Sequence, residues 1–186
     1  MSRFKEIIAK LDVNQAEVLN GKRVQKYEKR ISEIHHCFQN ATQAKASEAI
    51  AYTVHSVNSA DSDNELNVGV TTLEAITIDD ECNMTRGHYH LDRRYGEVYL
   101  GLSGTGLLLM WDGENKPYFE EVEEGSVHII DGKYAHRLIN TGNTQLKVVA
   151  IWSKHAGHNY EEIEERIFPV RVFKRNNGIE IEDIDG

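Results

Sequence analysis

The strongest constraint on the fold is a period of two. From Ala49 to Trp152, short alternations of apolar and polar residues recur between turn residues. Ile50, Tyr52 and Val54 alternate with their neighbours, and Leu66 to Leu73 reads as another strand. Glu97 to Met110 reads as two strands meeting near Gly104-Thr105-Gly106, followed by a turn at Trp111-Asp112-Gly113. Tyr118 to Val122, Ser126 to Ile130, Arg137 to Asn140 and Leu146 to Trp152 extend the series. Glu124-Gly125, Asp131-Gly132 and Thr141-Gly142-Asn143 supply the turns. Residues two apart share one face of a strand. Many short strands of this kind, broken every eight to twelve residues or so, predict a sandwich or barrel and a mainly β fold.

The ends read differently. Phe4, Ile7, Ile8 and Leu11 recur at helical spacing, and Val24, Tyr27 and Ile31 do so more loosely. Asn14 and Asn20-Gly21 look like breaks. Residues 1–48 are therefore expected to form an N-terminal helical extension, or an arm laid on the barrel or a second subunit, with the polar stretch 41–48 as a linker. The barrel is expected over 49–175, with Tyr160 to Ile167 as one short helix and Val170 to Phe173 as the last strand. Residues 176–186 are acidic and are expected to be a loose tail or an edge strand.

Composition narrows the partners. A formal charge of −9 repels nucleic acid and anionic lipid. It does not exclude an anionic small molecule, because a pocket can be locally electropositive. No stretch approaches the roughly 20 apolar residues of a membrane helix, and the first residues lack a secretory core. A cytoplasmic location is expected. Cys37 and Cys82 form no CxxC pair and read as two reduced, packed thiols.

The chemistry is concentrated in the histidines. His88-Tyr89-His90 places two imidazoles on one face of an extended chain. Imidazole nitrogen and carboxylate oxygen are ligands for Zn, Fe, Mn and Ni. Gly96 marks a turn, so a hairpin loop over 91–96 is expected to return Glu97 to the histidines. His136 follows Asp131-Gly132 on a later strand. The pattern predicts one divalent ion held by His88, His90, Glu97 and His136. His128 reads as structural, flanked by the core-like Val127 and Ile129, and His35, His36, His55 and His155 receive no role.

These residues carry a family resemblance. Gly87-His88-Tyr89-His90-x6-Glu97-x6-Gly104 resembles the first cupin motif, and Gly125-x10-His136-x3-Asn140 the second. Thr85-Arg86-Gly87-His88-Tyr89-His90-x6-Glu97-Val98-Tyr99, followed by Gly104-Thr105-Gly106, resembles the signature of the cupin-type glucose-6-phosphate isomerases. The likeness runs from about Tyr52 to about Tyr160. It departs at Cys82, where the general pattern has glycine, and at Asp131-Gly132, where this branch usually has prolines.

The resemblance implies a double-stranded β-helix, or jelly-roll, barrel and a metal-dependent aldose–ketose isomerase of glycolysis and gluconeogenesis. It implies Fe(II) first, with Mn(II), Ni(II) or Zn(II) as alternatives, and a homodimer. It places Glu97, His136 and Tyr99 in the catalytic group. Glu97 is the candidate base for a cis-enediol route, with a hydride shift as the rival. Thr71, Thr85, the Gly87 N–H, His158 and Tyr160 match phosphate-holding positions, and Tyr52 and Tyr99 match sugar-contacting ones. Tyr95 is expected near the mouth, and Trp152 stands where relatives tend to have tyrosine. Two other readings stay open: an Fe(II)-dependent cupin dioxygenase, and a non-catalytic sugar-binding cupin.

Overall fold

A computed structural model describes residues 7–14, 17–57, 66–165 and 167–184. Fifteen strands are described. β1 (Lys10–Leu11) and β2 (Leu19–Asn20) form a two-stranded ribbon. β3 (Gln25–Arg30) leads into a 3-10 turn over Ile31–Cys37 and the short helix α1 (Ala41–Lys45). β4 (Ile50–Val57), β5 (Leu66–Leu73), β6 (Thr77–Ile78) and β7 (Glu81–Cys82) follow. Then come β8 (Glu97–Ser103), β9 (Gly106–Trp111), β10 (Tyr118–Val122), β11 (Val127–Ile130), β12 (Ala135–Asn140) and β13 (Leu146–Ser153). Helix α2 (Glu161–Glu165) precedes β14 (Val170–Arg175) and β15 (Gly178–Asp183).

The larger sheet runs β11-β8-β13-β5-β4-β3, and a second runs β10-β9-β12. Their inner faces share one core, to which Tyr52, Leu73 and Val148 contribute from the first sheet and Leu108, Met110 and Leu138 from the second. A third sheet, β15-β14-β7-β6, adds Val170 and Val172 to the same core. The alternation seen in the sequence is the alternation of these faces.

Strand β12 breaks that rule, since all six of its residues are buried. One face meets the core. Along its free edge runs the extended segment 83–88, tied by Asn140 N to Asn83 O, Thr85 N to Leu138 O and His136 N to His88 O. His88 and His90 therefore belong to a strap beside β12. The loop 91–96 then carries the chain across to the larger sheet, where Glu97 opens β8 between β11 and β13. It is a crossover between sheets; the expected hairpin is not formed.

The N-terminal expectation is corrected. Gln25–Arg30 forms edge strand β3, paired with β4 from Gln25↔Ser56 to Arg30↔Ile50. The barrel therefore begins well before residue 49, and the helical extension over 1–48 is not found among the described residues. Ile7 and Ile8 lie outside regular structure, Leu11 lies in β1, and Phe4 lies outside the described residues. The loose helical spacing of Val24, Tyr27 and Ile31 is overridden by a free sheet edge that satisfies the backbone of β3. The supposed linker 41–48 contains α1, whose first turn is capped by Asn40 Oδ1 accepting from Gln43 N at 3.0 Å. At the other end, β15 is an edge strand paired with β14. Asp131-Gly132 makes a turn without proline, with Asp131 Oδ1 accepting from Lys133 N at 3.0 Å. No helix among the described residues is long and apolar enough to cross a membrane.

Candidate metal centre

The strap and β12 build the site from the backbone outward. His88 N donates to His136 O at 3.3 Å, and His136 N donates to His88 O at 3.1 Å. This reciprocal pair sets two imidazoles side by side, their ring centroids 4.5 Å apart. Two residues on, His90 lies on the same side of the extended chain, its ring 5.6 Å from that of His88. The crossover loop adds the second support: His90 Nδ1 lies 2.7 Å from Tyr95 O. A carbonyl only accepts, so Nδ1 carries the hydrogen and Nε2 is left to act as a ligand. His90 Nε2 lies 3.2 Å from Glu97 Oε2.

One nitrogen or oxygen from each of His88, His90, Glu97 and His136 lies within 4.8 Å of the others. Ligand bonds of about 2.1 Å place neighbouring donor atoms roughly 3 to 4.2 Å apart, so the cluster is close to the size that one ion draws together. The donor set fits in a second way. His88 Nε2 and His136 Nε2 are buried without a hydrogen-bond partner. Glu97 Oε2 is 3.3 Å from His136 Nε2 but makes no hydrogen bond with it. Buried imidazole nitrogens with no partner are costly unless something else binds them.

Electrostatics set two of the donors, His88 and Glu97, in their ligand forms, while His90, which burial alone would lower, is raised by its bonds to Glu97 and the Tyr95 carbonyl. Burial pushes His88 well below the ordinary imidazole value, with the neighbouring histidines adding to the effect. Burial alone would raise the Glu97 carboxyl, but His136 and His90 beside it hold it down to about 2. Glu97 is thus a carboxylate and His88 a neutral imidazole, the protonation states a metal ion requires.

The cluster lies in the wall of a cavity of about 300 Å³, at the small end of the usual range for small-molecule sites. The expected contact residues Tyr52, Thr71, Thr85, Gly87, Tyr99, His158 and Tyr160 all line it, together with His88, Glu97 and His136. His90 lies behind them. Tyr89 and Asn159 exchange backbone hydrogen bonds, which draws His158 and Tyr160 beside His88. The His88 and His158 ring centroids are 4.4 Å apart, and His158 stacks on Tyr160 with 6° between planes. Burial lowers His158 and raises both Tyr99 and Tyr160, so these three groups stand neutral beside the ligand cluster.

Two lining residues, Tyr27 and Arg86, carry no role in the sequence reading, and a third, Trp152, is noted there only for its position. Tyr27 projects from β3, a segment whose spacing suggested helix. Trp152 lies across Gly69 of the paired strand, where an added Cβ would come within 3.3 Å of the indole ring. Only the register of β5 against β13 brings these two together. Arg86 lines the cavity as well, its guanidinium 4.4 Å from the Tyr160 ring and paired with Glu164. Tyr95 does not line the cavity; its ring packs near His155, and its carbonyl is what serves the site. His128 is buried and held by Glu120 at 2.6 Å and Ser126 at 2.9 Å, but not for the expected reason, since Val127 and Ile129 point outward and are exposed. Cys37 and Cys82 are buried free thiols.

Two facing antiparallel sheets with three histidines and a glutamate gathered between them define a cupin with the makings of a metal centre. The family model described as Glucose-6-phosphate isomerase (GPI) matches residues 26–182, and the chain belongs to that family. A glucose-6-phosphate isomerase from Thermococcus litoralis is 32% identical over 134 residues, covering 72% of this chain and 70% of its own. One from Pyrococcus abyssi is 32% identical over 139 residues, covering 75% and 74%. Among solved structures, an oxalate oxidase in complex with the substrate analogue glycolate aligns with a TM-score of 0.44 at 15% identity, over 82% of this chain and 59% of that one.

Proposed function

We propose that this protein interconverts glucose 6-phosphate and fructose 6-phosphate at the cavity formed between the strap 83–90, β4, β5 and β8. The observation that carries this reading is a convergence. The four-residue cluster and the hydroxyl, amide and imidazole donors suited to a sugar phosphate share one cavity. His88, His90, Glu97 and His136 would hold one divalent ion, with Fe(II) our first choice and Mn(II), Ni(II) or Zn(II) alternatives. Such an ion supplies Lewis acidity to oxygens at C1 and C2, where charge accumulates during isomerisation.

The remaining work falls to the chain. Thr71 and Thr85 hydroxyls, the Gly87 N–H, His158 and Tyr160 would hold the phosphate. Tyr52 and Tyr99 would fix the sugar, and the half-buried Tyr99 ring, 5.7 Å from the buried His136 ring, would help keep water from the reacting carbons. Glu97 Oε2 is our candidate to move the proton between C1 and C2. A carboxyl held near 2 is a weak base, so the ligand role of Glu97 stands first and the base role second. Solvent deuterium entering the product would support the proton route, and its absence a hydride shift. The lining hydroxyls of Thr71, Thr85 and Ser56 favour a polar substrate over the apolar one a dioxygenase would need.

The proposal extends to a cytoplasmic homodimer acting in glycolysis and gluconeogenesis. Glu97 and Tyr99 face the cavity, so Val98 and Leu100 face outward. With Ile151, Val127 and Ile129, the last 79% exposed, they make an apolar strip on neighbouring strands. The ribbon β1–β2 packs near the same face, with Leu11 and Leu19 against Val70 and Val149. A second subunit is the natural cover for the rest.

A coupled assay tests the activity. Chelated protein given fructose 6-phosphate should form no glucose 6-phosphate, and Fe, Mn, Ni or Zn should restore turnover. Mannose 6-phosphate is run beside it to read the C2 preference. No turnover with any of the four metals would remove the proposal.

A further inference from the structure

Resting on the phosphate subsite proposed above, we infer that Arg137 is its positioning residue: the buried guanidinium grips the Arg86 carbonyl and thereby aims the Gly87 N–H at the phosphate. Arg137 lies in β12, directly after the ligand His136, and is 7% exposed. The other arginines of this region face carboxylates, Arg86 with Glu164, Arg93 with Glu162 and Arg171 with Glu81. The hydrogen-bond partners described for Arg137 are different. Nη2 donates to Arg86 O at 2.6 Å and lies 3.3 Å from Cys37 Sγ, while Nη1 lies 3.1 Å from Met84 Sδ. Its guanidinium lies over the Phe168 ring at 4.5 Å. Two sulfurs and a ring cannot neutralise a cation. The strongest contact of this side chain is therefore with one peptide bond of the strap.

That peptide matters because of its other end. The Arg86–Gly87 bond is trans, so the Arg86 C=O and the Gly87 N–H point in opposite directions. Pinning the carbonyl to Arg137 turns the N–H the other way. Gly87 lines the cavity, and its N–H has no protein acceptor among the described residues. Gly87 has φ of +76°, and an added Cβ would lie 3.2 Å from Arg137 Nε and 2.7 Å from the Phe168 ring. The glycine is thus pressed onto the guanidinium from above. A cation bound to the carbonyl also polarises the amide, which makes the opposed N–H a stronger donor to an anion. In a chain with a formal charge of −9, this places positive charge behind the subsite without exposing it.

The test separates this inference from the subsite it depends on. In the metal-loaded wild-type enzyme, inorganic phosphate should compete with fructose 6-phosphate; absence of competition would remove the subsite itself. Given competition, Arg137→Met should raise the Ki of phosphate and the KM of fructose 6-phosphate together by about tenfold, the worth of one charge-assisted donor. Its kcat should stay within about threefold, and its metal content should match wild type. Arg137→Lys keeps the charge and loses the fork, and should recover part of the loss, leaving phosphate about threefold weaker. An unchanged Ki in a folded variant would overturn the inference, as would a fall in kcat at constant KM. If neither variant folds, NMR of the wild type decides. The Gly87 amide and Arg137 guanidinium resonances should shift together as phosphate is added, and movement of Gly87 alone would overturn the coupling.

Discussion

Single residues in the cavity make separable contributions. Replacing His90 or His136 with alanine removes one of four donors and leaves its partners buried and unpaired, so bound metal should fall below stoichiometric on elemental analysis of the purified variant. The two cavity threonines should behave differently from each other. Thr85 Oγ1 accepts from Leu138 N at 3.0 Å, so it serves the fold as well as the proposed substrate. Thr85→Val should raise the KM for fructose 6-phosphate and also cost about 1–3 kcal/mol in denaturant unfolding, since a buried N–H loses its acceptor. Thr71→Val should raise KM by several-fold, with unfolding changed by less than about 1 kcal/mol. Equal stability losses in the two variants would contradict the distinction.

Among elements, the small third sheet is fastened by charge. Glu81 of β7 is 1% exposed; it accepts from Gln39 N at 2.6 Å and from Arg171 of β14 at 2.8 Å. Burial raises its carboxyl even with Arg171 beside it. Arg171→Met should cost roughly 3–5 kcal/mol at neutral pH, because the carboxylate stays buried and uncompensated. The folded form holds this proton more tightly than the unfolded chain does. The penalty is therefore absent below the ordinary carboxylate range and grows as pH rises through the folded value, so the gap between variant and wild-type melting temperatures should narrow on acidification. A gap that widens would assign the loss to something other than Glu81. What the sequence discloses about elements follows the same physics. Strands such as β8 and β11 alternate because one face is wet, β12 is buried throughout and shows itself only by its apolar run and turns, and the two histidines show themselves by spacing alone. β3 is hidden because Gln-Lys-Tyr-Glu-Lys-Arg has no apolar rhythm, and only its partner β4 makes it a strand. The crossover at 91–96 is equally silent, since a loop reads the same whether it returns to its own sheet or leaves for another. Tyr27 and Trp152 enter the cavity through registers that no local pattern encodes.

At the scale of the whole molecule, metal and assembly should both register in stability. An ion that binds only the folded chain at about 100 times its Kd adds about 2.7 kcal/mol. For a chain of this size that corresponds to roughly 5–10 °C in melting temperature. Chelated and reconstituted protein should differ by that much in calorimetry, and identical melts would deny the cluster a bound ion. The apolar strip on β8, β11 and β13 gives a second whole-molecule test. Ile129→Lys places a charge at its most exposed point, and should convert the proposed dimer to a monomer in sedimentation experiments while the metal centre stays filled.

Because β12 is buried on both faces and sutured to the strap by its own backbone, almost no change can be made along that side of the chamber without disturbing several neighbours at once. An engineer wishing to alter which sugar is accepted is left with the opposite wall, where Tyr27 and Ser56 stand on the two outer strands, outside the core that holds Tyr52 and Val54.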